Sequence, residues 1–189
     1  RVLVLSRTSV SAKSANVQTF SFSAFFIHIL IHYTHSHSLS TVLTTIIDTF
    51  SFLDAITIKG TGSVLIQGGR AQDAKDKVVQ HNGKGTVTIK DYTVVNVGKL
   101  FRSCGNCSKN GGPRNVIVQN VKANKVNADL VGINSNYGDV AIISGSCGTG
   151  IKHVCQEFKG IIKNGKKESP KVKTTANCRG AQAQSIPAC

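Results

Sequence analysis

From Asp54 onward, short apolar runs return at a nearly constant interval, and few folds are open to a chain with that period. One series is VLIQGG (from Val64), VTIKDYTVVNVG (Val87), VIVQNV (Val116) and VAIISG (Val140), advancing by 23, 29 and 24 residues. A second is AITIKG (Ala55), KVVQHNG (Lys77), KLFRSCG (Lys99), LVGINSNYG (Leu130) and HVCQEFKG (His153), advancing by 22, 22, 31 and 23. Runs rich in β-branched residues and bounded by turn formers are strands. Two interleaved series with one period indicate a repeating coil rather than a sandwich. A single coil cannot bury its own apolar side, and stacking on neighbouring coils solves this. The expected fold is all-β, a parallel β-helix over residues 54–165. The longest interval holds Ser103 to Arg114, rich in Gly, Asn and Cys, as suits a loop beside a groove.

The period also sets side chains in columns. Lys77 and Lys99 stand 22 residues apart, each leading an apolar run, and Asp54 and Asp76 share that interval. Strands on adjacent rungs lie about 4.8 Å apart, so carboxylates would stand beside cations on one face. Such a face suits an acidic sugar and a divalent metal. The charge balance agrees, with 23 Lys+Arg against 9 Asp+Glu and a formal net charge of +14. That surplus favours an anionic partner. Nucleic acid is the weaker candidate, because aromatic residues are sparse and no RNP-like, helix-turn-helix or zinc-finger pattern occurs.

Residues 1–53 differ from the rest. All 18 glycines follow them, starting at Gly60, while four of the six histidines fall between His28 and His37. Residues 1–50 carry four charges, Arg1, Arg7, Lys13 and Asp48. The apolar run from Phe20 to Ile31 is shorter than the ~20 residues of a membrane span. Its basic flank resembles a signal-peptide n-region, although no small-residue cleavage site follows cleanly. The segment reads as a non-matching leader: a signal or anchor, or a stretch foreign to the domain such as translated non-coding sequence. Residues 166–189, lysine-rich and without strand pattern, read as an irregular capping tail with a solvated face.

All six cysteines lie between Cys104 and Cys189. An even count confined to one region reads as disulfides in a secreted protein. Cys104 and Cys107 form a lone CxxC, and zinc usually needs a second pair. Of the 15 pairings open to six cysteines, Cys178 with Cys189 is favoured because it would tie down the tail. His81 and His153 read as structural rung-edge residues. Asn96, Asn120, Asn134 and Asn136 read as turn-bonding asparagines.

The motifs DAITIKGTGSVLIQGG, DKVVQHNGKGTVTIKDY, VGKLFRSCGNCS and GINSNYGDVAIISG, taken in order, resemble the fungal pectate lyases of polysaccharide lyase family 3. The resemblance runs from Asp54 to about Cys189. It implies a right-handed parallel β-helix, a single-stranded solenoid here incomplete at its N-terminal end. It also implies an extracellular, secreted enzyme that cleaves polygalacturonate (pectate) of the plant cell wall by calcium-dependent β-elimination. Lys59 matches the lysine closing the family's EDAxxxK segment, with Asp54 the aspartate of its acidic pair. Lys77 matches the lysine of DKVxQ, and Lys99 and Arg102 the pair in GKLxR. Leu53 stands where the family's acidic pair has its first carboxylate, and no DGVHC-like segment precedes it.

Elimination across C4–C5 of a galacturonate removes a proton α to a carboxylate. Calcium bridging protein and sugar carboxylates eases that step, and neighbouring cations stabilise the charge that develops. Lysine is readily lowered in pKa by desolvation, whereas a guanidinium stays charged and grips carboxylates bidentately. Lys77 is therefore the preferred base and Arg102 the preferred clamp, with catalytic roles assigned to both. Lys59, Lys99 and Arg102 are the substrate-binding candidates, and Asp54 and Asp76 the calcium (Ca2+) candidates. The expected enzyme is a monomeric pectate lyase with no nucleic-acid or membrane partner, binding calcium weakly and showing little or no activity for want of the missing carboxylates. The alternative is a non-catalytic β-helix that binds acidic polysaccharide. If residues 1–53 are foreign to the domain, their deletion leaves far-UV circular dichroism and the melting of the remainder almost unchanged. A loss of several degrees in Tm would show instead that they cover the exposed edge of the first rung.

Overall fold

A computed structural model describes residues 56–189 with their side chains, preceded by the backbone of three strands at 15–22, 26–33 and 41–48. Its strands are β1 (Ala15–Phe22), β2 (Phe26–Tyr33), β3 (Thr41–Asp48), β4 (Ile56–Lys59), β5 (Thr61–Gln72), β6 (Lys77–His81) and β7 (Lys84–Lys90). They continue as β8 (Thr93–Val97), β9 (Lys99–Ser103), β10 (Arg114–Gln119), β11 (Lys122–Asn134), β12 (Ala141–Ser144), β13 (Cys147–Phe158) and β14 (Cys178–Arg179). Apart from β1 and β2, which pair antiparallel, every strand pairs with its neighbours in parallel. The architecture is a right-handed parallel β-helix, as the recurring runs imply.

Each coil contributes to three columns of strands, one more than the two series in the sequence. The first column stacks β4, β6, β9 and the ends of β11 and β13. The second stacks the start of β5 with β7, β10, β12 and β14. The third, formed by the end of β5, β8 and the starts of β11 and β13, puts Ala71, Val94, Ala123 and Gly148 in one line. Apart from Val94 these residues are too small, and too continuous with the preceding strand, to stand out as a separate apolar run. Counting from run starts also slipped by one residue in places. Asp129, not Leu130, lies opposite Lys99, and Ala141, not Val140, lies opposite Val116. Where β4 and β6 pair, the offset is 23 residues rather than the 22 that relates Asp54 to Asp76.

The core is a set of stacked side-chain ladders. Val64, Val87, Val116 and Ala141 form one, and Ile66, Ile89, Val118 and Ile143 another, each residue at most 2% exposed. In the first column Ile56, Val79, Phe101, Val131 and Cys155 continue the same layer. Identical or similar residues meet on successive rungs, so each β-branched side chain packs on one of matching shape. Turns are closed by asparagine and aspartate at positive φ, including Asp73, Asp91 and Asn120, and Asn96 takes the same conformation within β8; both residue types tolerate the left-handed region. Asn120 donates to Asp91 at 3.2 Å, as expected of a turn asparagine, and Asn96 reaches from its strand to the turn residue Asp73 at 2.6 Å.

The disulfides correct one expectation. Cys178 bonds to Cys155 and Cys189 to Cys147, while Cys104 pairs with Cys107. Cys178 does not pair with Cys189, because β14 adds a rung beside β12 and turns Cys178 inward towards β13. The tail is therefore tied to the coils at two points rather than looped on itself. Because the ladders supply the burial, Ile89→Ala should lower unfolding free energy by roughly 2–5 kcal/mol. Thr88→Ala, on the other face of β7, should stay near ~0.5 kcal/mol. Urea denaturation of the two variants checks the difference.

Candidate active site

β6 and β9 pair with Lys77 opposite Lys99 and Gln80 opposite Arg102. The two lysines thus sit on adjacent rungs, as their spacing predicts. Two glycines make the geometry possible. A Cβ on Gly98, just before β9, would collide with the carbonyl oxygen of Asp76, so only glycine lets Lys99 follow so close to the rung below. A Cβ on Gly132 would come within 2.8 Å of Arg102 Cδ and 3.1 Å of the Phe158 ring. Gly132 therefore leaves room for the Arg102 side chain to lie flat.

These residues open into a cleft of about 680 Å³. Asp76, Lys77, Gln80, Lys99 and Arg102 line its floor, and Cys104–Ser108 form one wall. The glycine- and asparagine-rich segment after Ser103 is thus a loop beside a groove. It is held by the Cys104–Cys107 disulfide and by Arg114, which is 2% exposed. The Arg114 side chain donates to Gly83 O at 2.6 Å, to Asn110 Oδ1 at 2.9 Å and to Gly111 O.

Arg102 is 7% exposed. Its Nη1 donates to Ser103 O at 2.8 Å and Asn134 Oδ1 at 3.0 Å, and its Nη2 to Ser169 Oγ at 2.7 Å. The guanidinium carbon lies 3.9 Å from the centre of the Phe158 ring, a cation–π contact. Burial lowers its pKa to about 10, against the pull of Asp139, Asp129 and Glu168. It remains charged at neutral pH, with a fixed plane suited to a carboxylate.

Lys99 donates to Asp129 Oδ2 at 2.6 Å, and Lys171 donates to Asp129 Oδ1 at 3.0 Å. His153 Nδ1 lies 3.3 Å from the same Oδ1. Burial lowers the Lys99 pKa, opposed by Asp129 and reinforced by Arg102 and Lys171. Burial works against ionisation of Asp129, but hydrogen bonds from Lys99 and Lys171 outweigh it and hold the carboxyl below its usual range. Asp129 heads the run LVGIN, and counting that series from Leu130 hid it.

Asp76 forms an ion pair with Lys77. Lys59, at the end of β4, is exposed and does not line the cleft, while Asp54 lies outside the described residues. A resident calcium does not fit the described residues: of the two carboxylates lining the cleft, Asp76 is taken by Lys77 and Glu168 acts on Arg102, and no three Asp, Glu, His or Cys side chains gather among them as a metal cluster. A hard cation taking six to eight oxygens needs more. The asparagines divide. Asn134, buried and bonded to Arg102, Ser103 and Cys104, is part of the site's scaffold, and Asn136 bonds both ways with Gly160.

A parallel β-helix with clustered cations in a cleft along one column defines the class of protein. The pectate lyase family model matches residues 50–165, and the chain belongs to that family. It is 51% identical over 126 residues to the probable pectate lyase E of Aspergillus fumigatus, covering 66% of this chain and 48% of that protein. Pectate lyase E of Emericella nidulans is 51% identical over 120 residues, covering 62% and 46%. Among solved structures, PelI from Erwinia chrysanthemi in complex with tetragalacturonic acid has 40% identity and a TM-score of 0.58, covering 71% of this chain and 47% of that one. Pel3 from Pectobacterium carotovorum has 33% identity and a TM-score of 0.68, covering 79% and 51%. The chain spans about half the length of the curated relatives it matches.

His81, expected at a rung edge, is 1% exposed and meets Phe101 edge-on at 6.1 Å. Burial, helped by the Arg114 charge, lowers its pKa to about 3. A group depressed on folding adds stability that is complete above its unfolded pKa of about 6.5 and is lost as pH falls towards the folded value. Urea midpoints should therefore decline between pH 6.5 and 4, with His81 contributing up to about 1.4 kcal/mol per pH unit. His81→Gln should flatten that decline. Parallel curves for the two proteins would show that His81 does not titrate on unfolding.

Proposed function

We propose that this chain carries the uronate-binding cleft of an extracellular, monomeric pectate lyase acting on polygalacturonate of the plant cell wall. The observation that carries the reading is the clustering of Lys77, Lys99 and Arg102 on adjacent rungs of a pectate lyase β-helix. In this reading Arg102, already planar against Phe158, clamps a substrate carboxylate, and Lys99 neutralises a neighbouring uronate. Lys59 lies beyond the cleft lining and serves a more distant sugar. Lys77, on the cleft floor beside Asp76, takes the proton from C5 when it is in its neutral form. The C5–H electrons form the C4=C5 double bond as the C4–O4 bond breaks, and water protonates the departing O4. Lys99 and Arg102, the two cations that keep their charge, stabilise the charge that develops at C5 and C6.

Calcium, the family's cofactor by resemblance, would be held through Asp76 and Asp54, with Leu53 in place of another carboxylate. We therefore assign the chain weak calcium affinity and little turnover as it stands, with polygalacturonate binding retained. Leu53→Glu should raise calcium affinity and turnover. In that variant Lys77→Ala or Arg102→Ala should abolish release of the ultraviolet-absorbing 4,5-unsaturated product. Titration calorimetry with polygalacturonate and DNA at equal salt, beside an absorbance assay with calcium, tests the unmodified chain. Robust calcium-dependent product release would overturn the weak-metal assignment, and equal or tighter binding of DNA would overturn the uronate reading.

A further inference from the structure

After β13 the chain leaves the coils and forms a strap that closes the cleft's second wall. Ile161 N donates to Gly105 O at 2.8 Å, Lys163 N to Cys107 O at 3.1 Å, and Asn106 Nδ2 to Lys167 O at 3.0 Å. The strap then returns antiparallel beside β13, where Lys171 bridges Phe158 and Lys159 N donates to Pro170 O at 2.9 Å. Lys171 Nζ fixes this return on buried Asp129. Between these anchors lie Glu168 and Ser169, both lining the cleft. Gly105 makes the approach possible, because a Cβ there would collide with Ser169 Oγ and reach to 2.8 Å from Arg102 Nη2.

We propose that Ser169, C-terminal to the matched span of the family, is a positioning residue for Arg102. The guanidinium rests on Phe158 with Nη1 tied to Ser103 and Asn134. Those contacts fix one edge of the fork. Ser169 Oγ accepts from Nη2, the other terminal nitrogen, and so sets the rotation of the plane about the side-chain axis. A planar fork grips a carboxylate in two parallel bonds only when its orientation is fixed, so a residue of the tail governs how Arg102 meets an acidic sugar. Glu168, next in the strap, faces Arg102 with a negative charge. A neutral serine can orient the guanidinium without competing for it as a second carboxylate would.

The inference rests on the uronate reading of the cleft, and its test separates the two. The full chain and its Ser169→Ala and Ser169→Thr variants are titrated with tetragalacturonate, with uncharged galactan as control. Exchange of the Arg102 Nε–H is followed by NMR without ligand. Ser169→Ala should weaken tetragalacturonate binding roughly five- to tenfold and speed Arg102 exchange severalfold, with Tm nearly unchanged. Ser169→Thr, which keeps the hydroxyl, should recover both. Unchanged Arg102 exchange in Ser169→Ala, unchanged affinity, or equal losses in both variants would overturn the positioning role. Failure of the unmodified chain to prefer tetragalacturonate over galactan would overturn the uronate reading, and with it any substrate role for Ser169. The exchange measurement would still decide whether Ser169 orients the guanidinium.

Discussion

Hydrogen bonding between successive rungs holds parallel strands about 4.8 Å apart, and that spacing decides which side chains can meet. Residues 22 or 30 apart in the chain become neighbours: Lys77 beside Lys99, Lys99 beside Asp129, Gln80 beside Arg102. Three cationic groups are thereby packed closer than their mutual repulsion favours. The structure compensates in different ways for each. Lys77 is paired with Asp76, Lys99 with Asp129, and Arg102 with a ring face and three neutral oxygens. Arg102 is thus held without a partner carboxylate in direct contact, which leaves its charge to act in the cleft.

The site can be read partly from sequence because a solenoid translates interval into proximity. Lys77, Lys99 and Arg102 lie where their runs place them, and the loop after Ser103 borders the cleft. What was not legible depends on corners and on chain outside the repeat. The third column was hidden because Ala71, Ala123 and Gly148 carry no apolar signal of their own. Asp129 was hidden by a one-residue slip, since a run's first apolar residue is not always its register mark. Periodicity is silent on the tail, whose course is set by bonds to single carbonyls such as Gly105 O and Cys107 O. The cysteine pairing failed for a related reason: proximity in sequence counts for little when the tail itself adds a rung.

The strap changes the meaning of the lysine-rich tail. By composition it resembles a solvated face, and much of it is exposed. Yet Ser169 and Lys171 reach into the first column, one to Arg102 and one to Asp129. Glu157, 1% exposed, anchors the following chain by accepting from Thr174 Oγ1 and Asn177 N, both at 2.6 Å. The disulfides from Cys155 and Cys147 hold what remains. A segment with little regular structure is thus held by bonds at both ends and in its middle. Wall residues on such a segment can be as fixed as residues on a strand.

The placement of the acidic residues also bears on the choice between binding and catalysis. Of the nine acids in the chain, Asp129, Asp139 and Glu157 are at most 1% exposed. Each is satisfied internally: Asp129 by lysines, Asp139 by the backbone N–H groups of Arg114 and Asn134, and Glu157 by the tail. Their charges are used to organise the fold, so the surface facing a ligand is more basic than the net charge alone conveys. A polyanion is drawn to such a surface, and fixed guanidinium and ammonium groups supply its contacts directly. A divalent cation needs outward, clustered oxygens, and of the two carboxylates among the described residues that line the cleft Asp76 is paired with Lys77 while Glu168 acts on Arg102. In the proposed function, then, uronate recognition and calcium retention are separable, because different side chains provide them.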